Sequence, residues 1–229
     1  MDCKPYLRAH ADELIESLAA LIRIPSVEGT PEDGAPYGRE VARCLRETLA
    51  LCEKLGFRTG NMDHRVGWCE YGEGEEMIAV LGHLDVVPAG DGWSEAEPFS
   101  GEVKNGRIYG RGAMDDKGPV VAAIYALAVL KDAGFAPARR IRILFVTNEE
   151  TGCGDMAWYR EHGGEKPVMG FTPDGEYPVI NGEKGILTGT FARRLHQTGV
   201  YRLTRLEGGT ASNVVPAYAV AELQCPADA

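Results

Sequence analysis

Carboxylates and one imidazole recur where the apolar stretches of this chain stop. His83 and Asp85 lie in VLGHLDVVP, Asp115 and Asp116 in GRGAMDDKGP, Glu149 and Glu150 in ILFVTNEETG, and Asp174 in FTPDGEY. Each follows or closes a stretch rich in Val, Ile, Leu or Phe. In an open α/β sheet the carboxyl ends of the strands line the crevice where ligands bind. Four carboxylate-bearing turns and an imidazole meeting there would repel one another strongly. One divalent cation, or a pair, is the natural neutraliser.

The segments between these turns alternate in type. Leu7, Leu14, Ile15, Leu18, Leu21 and Ile22 recur at helical spacing, which predicts an amphipathic helix over about 5–23. Val41, Leu45, Leu49, Cys52 and Leu55 mark a second helix, stopped by Gly56. Phe57 to Tyr71 reads as two short strands, Met77 to Leu81 as a buried strand delivering His83, and 90–110 as a loop with a short hairpin. The run PVVAAIYALAVL is apolar on nearly every side, as in a sandwiched helix. Arg140 to Thr147 is a strand delivering Glu149 and Glu150. A third helix near Asp155 to His162 and a short strand over Val168 to Phe171 follow. This alternation predicts an α/β fold, with a mostly parallel, doubly wound sheet flanked by helices. After about Ile186 the character changes. TGTFARRL, VYRLTRLEGG and YAVAELQC read as antiparallel strands, so domains over 1–186 and 187–229 are expected.

Composition narrows the partners. The 229 residues are 44% hydrophobic, enough for a packed core, and carry a formal charge of -10. That balance argues against a nucleic-acid-binding surface and against a polybasic membrane contact. No apolar run reaches transmembrane length, and the acidic N-terminus lacks the features of a secretory signal. Six cysteines without CxxC spacing read as free, mostly buried thiols in a reducing compartment, hence a cytoplasmic location. Hard oxygen donors around Cys153 argue against a metal role for it.

Each motif also has a bland reading. A histidine on an apolar strand is more often a core or surface residue than a ligand. Asp85, two residues on from His83, changes that balance, because it can take a hydrogen bond from one ring nitrogen and turn the other toward a metal. Asp115 opens the turn before the buried helix, where an aspartate N-cap is common. A carboxylate there can equally bridge two cations. Glu149 and Glu150 could be a solvated loop, but they follow the core run ILFV. One could bind metal while the other accepts a proton from the attacking water. Asp174 would add an oxygen ligand. No dinucleotide fingerprint, phosphate loop or nucleophile elbow is present. His10, His64, His162 and His196 have no partner spacing and read as structural or exposed.

Taken in order, HLDVVP, GRGAMDDKG, NEETG and PDGEYPVINGEKG resemble the co-catalytic di-zinc metallopeptidases. That family includes acetylornithine deacetylase, succinyl-diaminopimelate desuccinylase and the carboxypeptidase G type enzymes. DDKGP, TPDGEYPVINGEKG and GGTASNVVP look most like its dipeptidase V-like, Xaa-His dipeptidase branch. The resemblance implies that His83 and Asp174 bind one zinc, that Asp115 bridges, and that Glu150 binds the second, with Mn or Co able to replace zinc. It further implies Glu149 as general base, Asp85 as the clamp on the His83 imidazole, Asn213 as a lid residue on the substrate's carboxylate, and a cis peptide between Asp115 and Asp116. The expected substrate is a small peptide, and monomer and dimer both remain open.

The chain departs from the family pattern in length. Members are about twice as long and return from an α+β lid to supply a last histidine to the second zinc. No histidine follows His196. The resemblance therefore implies a truncated piece, with an incomplete lid and one weakened zinc site. Three functions stay open at this stage: a zinc dipeptidase, an N-acyl amino acid deacylase of the same family, and a catalytically inactive metal-binding product of truncation.

Overall fold

The computed structural model describes residues 1–176, 178–182, 184–185, 187–209 and 215–226. Two compact units divide the chain, Met1–Tyr177 and Pro178–Ala229. The first is built on β1 (Arg58–Met62), β2 (Val66–Tyr71), β3 (Met77–His83), β6 (Arg140–Val146) and β7 (Met169–Phe171), in the spatial order β1-β2-β6-β3-β7. A separate two-stranded ribbon is formed by β4 (Glu102–Lys104) and β5 (Arg107–Tyr109).

β3 pairs in parallel with β6, from Met77↔Arg140 to His83↔Val146, and with β7, from Ile78↔Met169 to Val80↔Phe171. β2 runs antiparallel to both β1 and β6. β1, β3, β6 and β7 therefore share one direction, and the mainly parallel α/β sheet expected from the alternation is present. The register matters for function, because it brings the carboxyl ends of β3 and β6 level at His83 and Val146.

Three helices cover one face: α1 (Lys4–Ile22), α2 (Arg39–Lys54) and α3 (Lys117–Asp132). Their apolar sides meet Cys69, Val80, Ile143 and Phe145 of the sheet. α3 buries Val120, Val121, Ile124, Tyr125, Leu127 and Ala128, because it packs against both α1 and the sheet. That accounts for its all-round apolar sequence. On the other face Val66, Met77, Ala79, Leu144 and Val146 pack with Tyr159 of α4 (Gly154–Glu161). Alternation along β6 sends odd and even residues to opposite layers, which is why its last five residues are all buried.

Gly82 is needed where α3 meets β3. A Cβ there would lie 2.5 Å from Val120 Cγ2 and 2.7 Å from Asp116 Oδ2. Its absence lets the start of α3 sit directly on the strand end that carries His83.

In the second unit β8 (Arg202–Gly208) pairs antiparallel with β9 (Ala219–Gln224). The strand expected over TGTFARRL does not form, and that segment has no regular structure. Phe191 is 99% exposed, so no packed layer is there to favour an extended ladder. Among the described residues, no helix is long and apolar enough to cross a membrane. All six cysteines are free thiols.

Candidate metal centre

The site is assembled from four separated segments of the first unit. β3 ends at His83, the turn into α3 carries Asp115 and Asp116, the loop after β6 carries Glu149 and Glu150, and the segment after β7 carries Asp174. The His83 side chain is 1% exposed. Its Nε2 lies 2.8 Å from Asp115 Oδ1 and 3.4 Å from Asp174 Oδ2. Ligand atoms of His83, Asp115 and Glu150 lie within 4.8 Å of one another, as do those of His83, Asp116 and Asp174. The peptide bond between Asp115 and Asp116 is cis, as the resemblance implies.

The imidazole is oriented from its other side. His83 Nδ1 is 2.8 Å from the Asp85 carbonyl oxygen and 3.6 Å from its carboxylate. The clamp is therefore made chiefly by the main chain. The carboxylate of Asp85 does something the sequence did not reveal. Its two oxygens accept the N–H groups of Glu149 (3.1 Å) and Glu150 (3.0 Å). Asp155, fully buried, accepts the N–H groups of Thr147 (2.5 Å) and Asn148 (3.0 Å). Two buried aspartates thus fix four consecutive amides of the loop that presents both glutamates.

Asp116 is the other residue whose place was not foreseen. It precedes α3 but makes no side-chain cap. Instead its Oδ2 accepts the His83 main-chain N–H at 3.0 Å, while its buried Oδ1 has no hydrogen-bond partner among the described residues. The sequence pointed to Asp115 as the residue facing the site. The tie of Asp116 to the His83 main chain depends on a tight turn that sequence spacing does not specify.

The electrostatics are those of crowded acids. Burial opposes a charged His83 ring, but the Asp85 side chain and then Asp116 outweigh it, and its pKa is pushed up to about 10. Burial raises Asp116 to about 7, against the hydrogen bond from His83, with Asp174 and Asp115 adding to the rise. Burial also raises Glu149 and Glu150 above the usual glutamate value. For Glu149 the neighbouring Asp174 and Asp85 reinforce that direction, and for Glu150 Asp115 does. A divalent cation reverses this balance, since it favours a neutral imidazole and ionised carboxylates. One imidazole nitrogen, several carboxylate oxygens and the orphaned Asp116 oxygen form a donor set that fits zinc, manganese or cobalt. Asn213 lies outside the described residues.

A mainly parallel α/β sheet with an imidazole and carboxylates converging at its strand ends defines a candidate metallohydrolase catalytic domain. Residues 79–224 match the profile of Peptidase family M20/M25/M40, and the chain belongs to that family. It is 43% identical over 220 residues to "Putative dipeptidase YtjP" of Bacillus subtilis (strain 168), covering 94% of this chain and 47% of that protein. It is 37% identical over 230 residues to the Beta-Ala-Xaa dipeptidase of Lactobacillus delbrueckii subsp. lactis, covering 99% of this chain and 48% of that one. The chain thus spans about half the length of the curated relatives it matches. Human carnosine dipeptidase 1 shares the fold, with a TM-score of 0.65 at 23% identity over 76% of this chain and 41% of that one.

Proposed function

We propose that this chain carries the metal centre and general base of a zinc-dependent dipeptidase acting on small peptides. One arrangement supports the reading most: a buried histidine presents Nε2 to Asp115 and Asp174, with Glu150 in the same cluster and Glu149 beside it. In this reading His83 and Asp174 would hold one zinc and Glu150 the second, with Asp115 shared between them. Bound there, the cations would supply Lewis-acid polarisation of the peptide carbonyl and a water made more nucleophilic at neutral pH.

The remaining work falls to the protein. Glu149 accepts the proton of the attacking water and delivers it to the leaving amine. Asp85 keeps the His83 ring turned and holds the main chain of Glu149 and Glu150 at a fixed distance from it. Asp116 anchors the His83 backbone through Oδ2. Asn213 is assigned to the substrate's carboxylate, and residues 187–229 to the beginning of a lid. The proposal places the protein in the cytoplasm.

The deciding experiment measures bound metal on the purified protein by elemental mass spectrometry. It then compares a panel of dipeptides with matched N-acyl amino acids. Zinc uptake with dipeptide cleavage is expected. Preferential cleavage of N-acyl amino acids would make the protein a deacylase, and failure to bind any divalent metal would remove the centre altogether.

A further inference from the structure

Beside the metal centre lies a cavity of about 380 Å³ that Asp85 and Glu150 also line. Val27, Val86, Val87 and Pro88 give it apolar walls, and Glu28 adds a carboxylate. The loop bearing Glu28 is fixed on both sides. Ser26, fully buried, donates its hydroxyl to the Leu84 carbonyl at 2.6 Å, and its own carbonyl accepts the Val86 N–H at 3.0 Å. Gly29 donates its N–H to the Tyr37 carbonyl at 3.0 Å and packs so tightly on Gly38 that a Cβ there would lie 2.8 Å from the Gly29 Cα. Glu28 is therefore held between two anchored residues, one of them tied to the segment that follows His83. Its carboxylate is exposed and has no ion-pair or hydrogen-bond partner among the described residues.

Of the three carboxylates that line the cavity, Asp85 is taken up by the Glu149 and Glu150 amides and Glu150 belongs to the metal cluster, which leaves Glu28 as the one unassigned acid beside the apolar walls. That combination matches an aliphatic stem that ends in a cation. A bare ammonium group would leave the apolar walls unused, and a neutral aliphatic chain would leave the carboxylate to water. We infer that this cavity is a side-chain subsite selecting a lysine or arginine residue of the dipeptide, with Glu28 as the specificity-determining residue. The inference rests on the dipeptidase reading.

The test separates binding from turnover. Calorimetry on zinc-loaded Glu149→Gln protein, which should not consume its ligands, compares Lys-Ala with norleucine-Ala and Ala-Lys with Ala-norleucine. Norleucine keeps the aliphatic stem and lacks the charge. The expected result is a preference of about 2- to 5-fold for lysine in one of the two positions, which falls toward unity when Glu28→Gln is added. The preference should also shrink as salt rises. Equal affinity for lysine and norleucine, or a lysine preference that survives Glu28→Gln, would overturn the assignment. A loss of norleucine-Ala affinity on Glu28→Gln would transfer the carboxylate to the substrate's amino group, and the side-chain subsite would fall. Turnover is assayed separately on the unsubstituted protein. If it cleaves no dipeptide, the dipeptidase reading fails, while the binding comparison still judges the subsite.

Discussion

Asp115 and Asp116 are chain neighbours with opposite surroundings. The Asp115 side chain is 60% exposed and touches the imidazole Nε2, whereas Asp116 is fully buried and grips the His83 main chain. The same division separates Glu149 and Glu150 from the aspartates behind them. The glutamates offer side chains to the site, while Asp85 and Asp155 spend their oxygens on backbone amides. The role proposed for Glu149 can be tested without disturbing that frame, because its side chain takes no part in it. Glu149→Gln should leave zinc stoichiometry unchanged and lower kcat by roughly 100- to 10,000-fold, the usual worth of a general base. Loss of zinc in that variant would make Glu149 a ligand, and near-normal turnover would move the base elsewhere.

At the scale of elements, the join between β3 and α3 decides whether the site closes. Gly82→Val would drive a side chain into Val120 and Asp116, whose atoms lie 2.5 and 2.7 Å from the Cβ position. Overpacking of this kind costs about 1–3 kcal/mol. The melting temperature should fall, and zinc affinity should fall with it, because Asp116 is pushed off His83. An unchanged melting temperature would mean that α3 moves aside freely. A second element-level prediction concerns the end of the sheet opposite the site. Buried Glu70 accepts hydrogen bonds from Arg58 (2.9 Å), Arg140 (2.8 Å) and Arg142 (2.8 Å), and Glu165 pairs with Arg140 and Arg142. The hydrogen bond with Arg140 is the main reason the Glu165 pKa is lowered. A carboxyl with a depressed folded-state pKa stabilises above its unfolded value, and that contribution is lost as pH falls through the folded value. Urea unfolding of Glu165→Gln should therefore show a shallower loss of stability than the unsubstituted protein below about pH 4.5, the usual glutamate range. Identical acid limbs would show that the pair is fully screened.

For the whole molecule, the centre joins parts of the chain that are far apart in sequence. His83, Asp115, Glu150 and Asp174 come from the ends of β3 and β6, the turn before α3 and the segment after β7. A metal bound only by the folded arrangement stabilises it by mass action, by about 2.7 kcal/mol at a hundredfold excess over Kd. Zinc should raise the melting temperature, a chelator should reverse the rise, and His83→Ala should abolish it. A zinc shift that persists in His83→Ala would place the stabilising metal elsewhere.

The order of helices and strands was legible because burial imposes a period. Val120 to Val129 had to be sandwiched, and Ile143 to Val146 had to lie between two layers, since no other placement hides their side chains. The strand-end position of His83, Glu149, Glu150 and Asp174 followed from the same runs. Where periodicity is weak, reading failed: TGTFARRL alternates enough to suggest a strand, yet has no layer to pack against. The backbone-holding roles of Asp85, Asp116 and Asp155 were also beyond the sequence. An aspartate looks the same whether its oxygens face a cation or a row of amides. That choice is made by the approach of α3 to Gly82 and by the path of the loop after β6, and both depend on contacts between residues more than thirty positions apart. Local pattern determined which segments are buried, and tertiary packing alone decided which carboxylates hold the backbone and which face the candidate metal centre.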